Sequence, residues 1–239
     1  ALMPGIRACA ARLLEPRTRR MGTERWGEDG WSTSALASER GHAYLGWVAL
    51  GLSAARSVDP DPPWAAEHDA LIAGLDHKMG QPAPRLETYP GQVFPADQAA
   101  VIGAVGLHAQ VTGQPARNLE TFIESYRSSF VHDSGWIRHD GPPGGPFTEP
   151  RGATTAVSSW FLGFADPVLA GTLTEAHKTG DRRLAGFGGM REYLPDARGG
   201  TGDMDSGPVV LGLGVAATGF SLAGARRHGD EAGYRARLR

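Results

Sequence analysis

Apolar positions recur at helical spacing over most of this chain. Residues 6–20 form a first such stretch, with Pro4 near its start. Residues 38–58, "SERGHAYLGWVALGLSAARSV", are apolar on nearly every side and stop at the proline-containing turn 59–63. Residues 64–79 follow with a clear polar face. The same order returns twice: 96–113 is apolar on most sides and 118–130 amphipathic, then 153–164 is apolar and 166–178 more polar. A last apolar run, 208–225, leads into a polar end. Alternation of period two is nowhere sustained, which argues against an all-β or βαβ chain.

A helix that is apolar all round belongs inside, and an amphipathic one outside it. The inner-type helices begin near residues 39, 96, 153 and 206, at steps of 57, 57 and 53. Such regularity predicts a repeat of helix pairs. The expected fold is therefore all-α: a single domain over residues 1–239, an (α/α) toroid or barrel of repeated helix hairpins. Four pairs and part of a fifth fall short of a complete double toroid. Either the barrel is smaller, a neighbouring subunit completes it in a homo-oligomer, or residues are missing at one end.

In each repeat the long loop precedes the inner helix, so the loops are expected to gather at one rim. "LETYPGQVFPADQ", "WIRHDGPPGGPFTEPRGATT" and "MREYLPDARGGTGDMDSGP" each carry acids with aromatic or basic neighbours. Asp97, Glu149 and Asp205 occupy comparable places in them. Helix capping explains any one of these acids, because carboxylates suit the positive end of a helix. Three such loops converging on one concavity point to a site.

The stretch "GGTGDMDSGPVVLGLGVAATGF" admits other readings, and each fails on a physical requirement. Gly212-x-Gly214-x-x-Ala217 fits the dinucleotide fingerprint, but the strands that the motif needs before and after it are not evident. "GDMDSGP" has the wrong spacing for the serine loop of trypsin-like enzymes, and Ser206 is better read as a helix-entry residue. Asp203-x-Asp205 starts like a calcium loop, yet its twelfth position is Gly214. Residues 207–225 are uncharged and long enough to span a bilayer, but Gly, Ser, Thr and Pro dilute them, so membrane association is not favoured.

Composition narrows the function classes. A net charge of −2 argues against a nucleic-acid surface. A single cysteine, Cys9, excludes an internal disulfide and a cysteine metal site. No cofactor and no metal are expected; His132-Asp133 and His139-Asp140 lack a recognised ligand spacing. The sequence fits a cytoplasmic and an exported protein alike. The 34 glycines, many inside apolar runs, imply close backbone packing.

The segments "GHAYLGWVALGL", "ETYPGQVFPADQAAVIGAVGLH", "EPRGATTAVSSWFLGFADP" and "GMREY…GDMDSGPVVLGLGVAATGFSLAGARRHGD" resemble poorly characterised bacterial helical-toroid proteins of the linalool dehydratase-isomerase type. The resemblance runs from about residue 41 to residue 230. It implies a deep apolar pocket for a small alcohol, with acidic, His and Tyr groups performing acid–base steps at its rim. The cysteines of that family's site have no counterpart here.

Dehydration needs an acid to protonate the leaving hydroxyl and a base to take a proton from carbon. Two carboxylates in unlike environments supply both. Asp205 and Asp97 are the candidate acid–base pair, and Glu149 a third, with Arg151 close by as its charge partner. Asp203, Tyr89, Tyr193, Glu87, Arg151 and His42 are candidates for holding the substrate; His42 also fits a core histidine. The expected function is a lyase or isomerase acting on a small, largely apolar alcohol. A carbohydrate-active toroid is the alternative, kept open by Trp26, Trp31 and Trp136 in loops. A non-catalytic binding or assembly subunit is the third reading.

Overall fold

A computed structural model of the chain describes residues 3–81, 86–184, 186–197 and 199–238. The chain divides into two compact units: Ala1–Ser128 with Gly141–Gly145, and Ser129–Asp140 with Pro146–Arg239.

The first unit is helical. It holds α1 (Met3–Leu14), a short 3-10 turn (Pro16–Arg19), α2 (Arg20–Trp26), α3 (Thr33–Ala37), α4 (Leu45–Arg56), α5 (Ala65–Met79), α6 (Pro95–Thr112) and most of α7 (Leu119–Phe130). Helix α6 starts with Pro95 at its first turn and ends at Gly113, whose φ of 73° makes the left-handed stop. It is buried on most sides, as its all-round apolar sequence predicts. Helix α4 packs along it. The two backbones approach at Gly46, where a Cβ would stand 2.6 Å from the amide nitrogen of Val101. Each Leu or Val closed into this contact contributes roughly 1.5–3 kcal/mol. Helix α5 turns one face inward, with Leu71, Ile72, Leu75 and Met79 buried. The same face buries Lys78, whose ammonium donates to the carbonyls of Ala35 at 2.7 Å and Ser38 at 2.8 Å. That cation closes the C-terminal end of α3, where carbonyls lack partners.

The second unit holds α8 (Gly152–Leu162), α9 (Pro167–His177), β1 (Asp181–Leu184), β2 (Phe187–Met190), β3 (Gly202–Asp203), β4 (Gly207–Val210), β5 (Leu213–Gly214), α10 (Val215–Arg227) and α11 (Glu231–Arg237). Helix α8 is almost wholly buried and packs against α9 and α10. Asp166 caps α9, accepting from the amides of Val168 and Leu169. Strands β1 and β2 form an antiparallel hairpin in register Asp181↔Met190 and Leu184↔Phe187. A second sheet has the order β3-β4-β5, also antiparallel.

These sheets overturn the all-α toroid. The fold is mixed: 57% helical, with eleven helices and two small antiparallel sheets among the described residues. The predicted helix over 208–225 is helical only from Val215; its first part is β4, a turn and β5. The cause is local. Leu211 and Gly212 have φ of 54° and 83°, a pair of positive values that a right-handed helix forbids and a tight hairpin turn demands. The β-branched pair Val209 and Val210 suits the strand before it. The even spacing of inner helices also gives way, since α4 starts at Leu45 and α10 at Val215. Among the described residues no helix is long and apolar enough to cross a membrane.

Candidate active site

In the second unit, the chain entering α8 runs beside the chain leaving β2. Arg151 bridges to Tyr193, and the Gly152 amide donates to the Glu192 carbonyl at 2.8 Å. This pairing carries the Glu192 side chain under the first turn of α8, where its Oε2 accepts the Ala153 amide at 3.2 Å. Gly214 leaves it room: a Cβ there would stand 2.6 Å from the same oxygen. Glu192 is 1% exposed. Its other oxygen, Oε1, has no hydrogen-bond partner among the described residues and lies 3.8 Å from Arg151 Nη1. Burial pushes this carboxyl up to about 7; Arg151 and the Ala153 amide act against the shift without cancelling it. A carboxyl in that range both gives and takes a proton near neutrality.

Arg151 organises the groups around it. Its Nη1 donates to the Tyr193 hydroxyl at 2.7 Å, its Nη2 donates to Asp203 Oδ2, and its guanidinium lies over the Tyr193 ring. Asp203 Oδ1 accepts the amides of Asp205 at 3.1 Å and Ser206 at 2.9 Å. Burial raises the Asp203 carboxyl, but Ser206 and Arg151 outweigh it and hold it below its ordinary value. Asp203 is thus an anchored anion that fixes both the loop and the arginine. Asp205 points outward, 62% exposed, with Oδ2 3.8 Å from His139 Nε2. The other ring nitrogen of His139 shares a hydrogen bond with Thr154 Oγ1 at 2.7 Å. Burial, with Arg151, lowers His139 below the usual histidine value, against the pull of Asp140, Asp203 and Asp205. Its neutral form therefore prevails at neutral pH.

The residues singled out in the sequence fall into two sets. Arg151, Tyr193, Asp203 and Asp205 meet in the second unit, as described. Glu149 is exposed in the same unit, and Arg151 is engaged by Asp203 and Glu192 rather than by it. The first unit holds Asp97, Tyr89, Glu87 and His42. Asp97, in the first turn of α6, accepts from Trp47 Nε1 at 2.6 Å and Thr88 Oγ1 at 2.7 Å. Glu87 accepts the Gly91 amide at 2.6 Å and closes its own loop. The Tyr89 ring stacks on Tyr44, with Arg25 over it. His42 is fully buried in a left-handed conformation, φ 63°, its ring 4.3 Å from that of Trp26. Burial, then Lys78, lowers it to about 4, and Glu28 opposes this. That is a neutral core histidine.

Glu192 and His139 were not among the sequence candidates for catalysis. Glu192 had a signal, since "REY" repeats the acid–tyrosine pairing of "ETY" in an equivalent loop. Its burial did not, because nothing local in sequence announces that Gly214 vacates the space it fills. His139 was weighed only as a metal ligand. Its partner Thr154 lies 15 residues on, in the first turn of α8.

No family model matches the chain, and no curated protein matches it.

Proposed function

We propose that the protein is an acid–base enzyme of the lyase or isomerase type, with Glu192 as its principal proton carrier. The observation that supports this most is the buried Glu192 carboxyl, raised to about 7 and left with an unsatisfied oxygen 3.8 Å from the Arg151 guanidinium. Near-neutral carboxyls of this kind concentrate at sites of proton transfer.

In the proposed reaction, a substrate hydroxyl reaches the unpartnered Oε1 and receives the Glu192 proton, so the C–O bond breaks and water leaves. A base takes a proton from the neighbouring carbon, and the electron pair of that C–H bond becomes the new double bond. Neutral His139, backed by Thr154 and facing Asp205, takes that second proton in this scheme. If the water adds back at the other end of the allylic system, giving a proton to the Glu192 carboxylate while His139 returns its proton to carbon, the hydroxyl has moved, which is the isomerase version. Arg151 and Tyr193 hold the departing oxygen.

The surroundings favour a small, largely apolar alcohol. Met204, 98% exposed between Asp203 and Asp205, and the exposed Val210 and Leu211 give the same loops an apolar surface. The tryptophans that would serve a sugar are otherwise engaged. Trp136 is fully buried and donates to the Ala176 carbonyl, Trp26 donates to the Thr88 carbonyl, and Trp31 lies under Arg19.

The test is incubation of the purified protein with a panel of small allylic and tertiary alcohols in D2O. Alkene formation and deuterium incorporation are followed by mass spectrometry. Turnover by the wild type that falls about 10²–10⁴-fold in Glu192→Gln is the expected result. Equal turnover by the two proteins would refute the assignment.

A further inference from the structure

A second constellation lies in the first unit, remote in sequence from Glu192, Arg151, Tyr193 and His139. Helices α4, α5 and α6 bring together Arg56, His68, Asp69 and His108. One ring nitrogen of each histidine and one Asp69 carboxylate oxygen all lie within 4.8 Å of one another. Both histidines are buried. Asp69 and His108 also line a cavity of about 390 Å³, which gives the cluster a route to solvent.

We propose that His68, Asp69 and His108 bind one divalent transition-metal ion at the floor of this cavity. Two imidazoles and one carboxylate are the donor set that suits zinc or ferrous iron, with further positions open to water. Three features of the cluster support it. First, the ligand atoms already converge: His108 Nε2 is 2.7 Å from Asp69 Oδ1. Bonds of about 2.0–2.1 Å to a tetrahedral ion would space them at about 3.3 Å, so a small opening suffices. Second, a cation already stands against two of the three ligands. Arg56 Nη1 donates to Asp69 Oδ1 and lies 3.5 Å from His108 Nε2. The guanidinium thus sits against two of the three proposed ligands, as a metal ion would, and its Nε keeps the Pro60 carbonyl at 3.3 Å as an alternative anchor.

Third, His68 carries an orphaned nitrogen. Ser53 Oγ lies 3.0 Å from the Ala104 carbonyl and 3.2 Å from His68 Nε2, which engages that nitrogen. The other ring nitrogen, Nδ1, is buried and without a hydrogen-bond partner among the described residues. Buried polar atoms are rarely left so, and an ion bound at Nδ1 removes the deficit. Binding also requires His108 to surrender the Nε2 proton it shares with Asp69, either to its own Nδ1 or to solvent.

The experiment is a Co2+ and Zn2+ titration of untagged protein, followed by calorimetry and by the visible absorption of Co2+. The expected result is one equivalent bound, with a visible Co2+ band of low coordination number. Asp69→Asn, which keeps the shape of the side chain, should weaken binding at least tenfold. Arg56→Met, which removes the competing cation, should tighten it about tenfold. Circular dichroism establishes that each variant is folded. The proposal is overturned if the wild type shows no saturable binding, or if its binding survives unchanged in Asp69→Asn. Weaker binding by a folded Arg56→Met would likewise overturn it, because the arginine would then be a supporter of the ion and not its stand-in.

Discussion

The Glu192 carboxylate accepts the amide of Ala153 at 3.2 Å, across 39 residues of sequence, and so places an acid against the first turn of α8. A helix N-terminus favours the ionised form, as does Arg151 beside it. Burial works the other way and prevails, leaving the carboxyl at about 7. The proposed chemistry rests on that balance.

Because the folded value for Glu192 lies above its ordinary value, the native state holds this proton over a range where the unfolded chain has released it. Stability from this group is present below about pH 4.5 and is lost as pH rises towards about 7. Glu192→Gln has no such dependence. Urea melts should therefore show the variant gaining on the wild type between pH 4.5 and 7, by about 3 kcal/mol in total. A constant difference across that range would show that the carboxyl is not perturbed.

His177 has the opposite sign. It is buried against the edge of Trp136, and burial, with Arg237, lowers it to about 3. The unfolded chain takes up this proton first, so stability from the neutral imidazole is complete above about pH 6.5 and falls as pH drops towards 3. His177→Gln should lose less stability than the wild type between pH 6.5 and 4, measured by thermal melts at each pH.

Gly214 and Gly5 form a matched pair. An alanine at 214 meets Glu192 Oε2 at 2.6 Å and its Cβ at 3.0 Å, whereas a Cβ at Gly5 in α1 meets nothing within 4 Å. Gly214→Ala should cost about 1–3 kcal/mol by overpacking. It should also reduce turnover, because Glu192 must move. Gly5→Ala should gain about 0.5–1 kcal/mol from helix propensity. Denaturant midpoints for the two variants, on one background, check both signs.

Arg151 separates position from charge. Its fork reaches Tyr193 and Asp203 together while its Nη1 stays 3.8 Å from Glu192. A lysine keeps the charge but not the fork. Arg151→Lys should lower kcat about 10–100-fold while circular dichroism shows the variant folded. Unchanged kcat in the panel assay would remove Arg151 from the proposed mechanism.

The helices were legible in sequence and the sheets were not. Residues 96–113 and 153–164 are apolar on most faces, and both became buried helices starting at Pro95 and Gly152. That signal is strong because burial on every side leaves no polar stripe to misplace. Residues 208–214 gave the same apolar impression but form a hairpin. Two-residue turns of this kind ordinarily show Asn-Gly, and here the first position is Leu211. The candidate site was half legible. Arg151, Tyr193, Asp203 and Asp205 sit in the loops the sequence marked. Glu192 escaped because its environment is made by Ala153 and Gly214, residues with no chemistry of their own.

The central claim is tested most directly by titrating Glu192 itself. Carbon-13 NMR of glutamate-labelled protein, with Glu192→Gln identifying the resonance, reads the midpoint of its side-chain carboxyl. The account predicts a midpoint near 7, displaced from the ordinary 4.5. A midpoint at the ordinary value would contradict it.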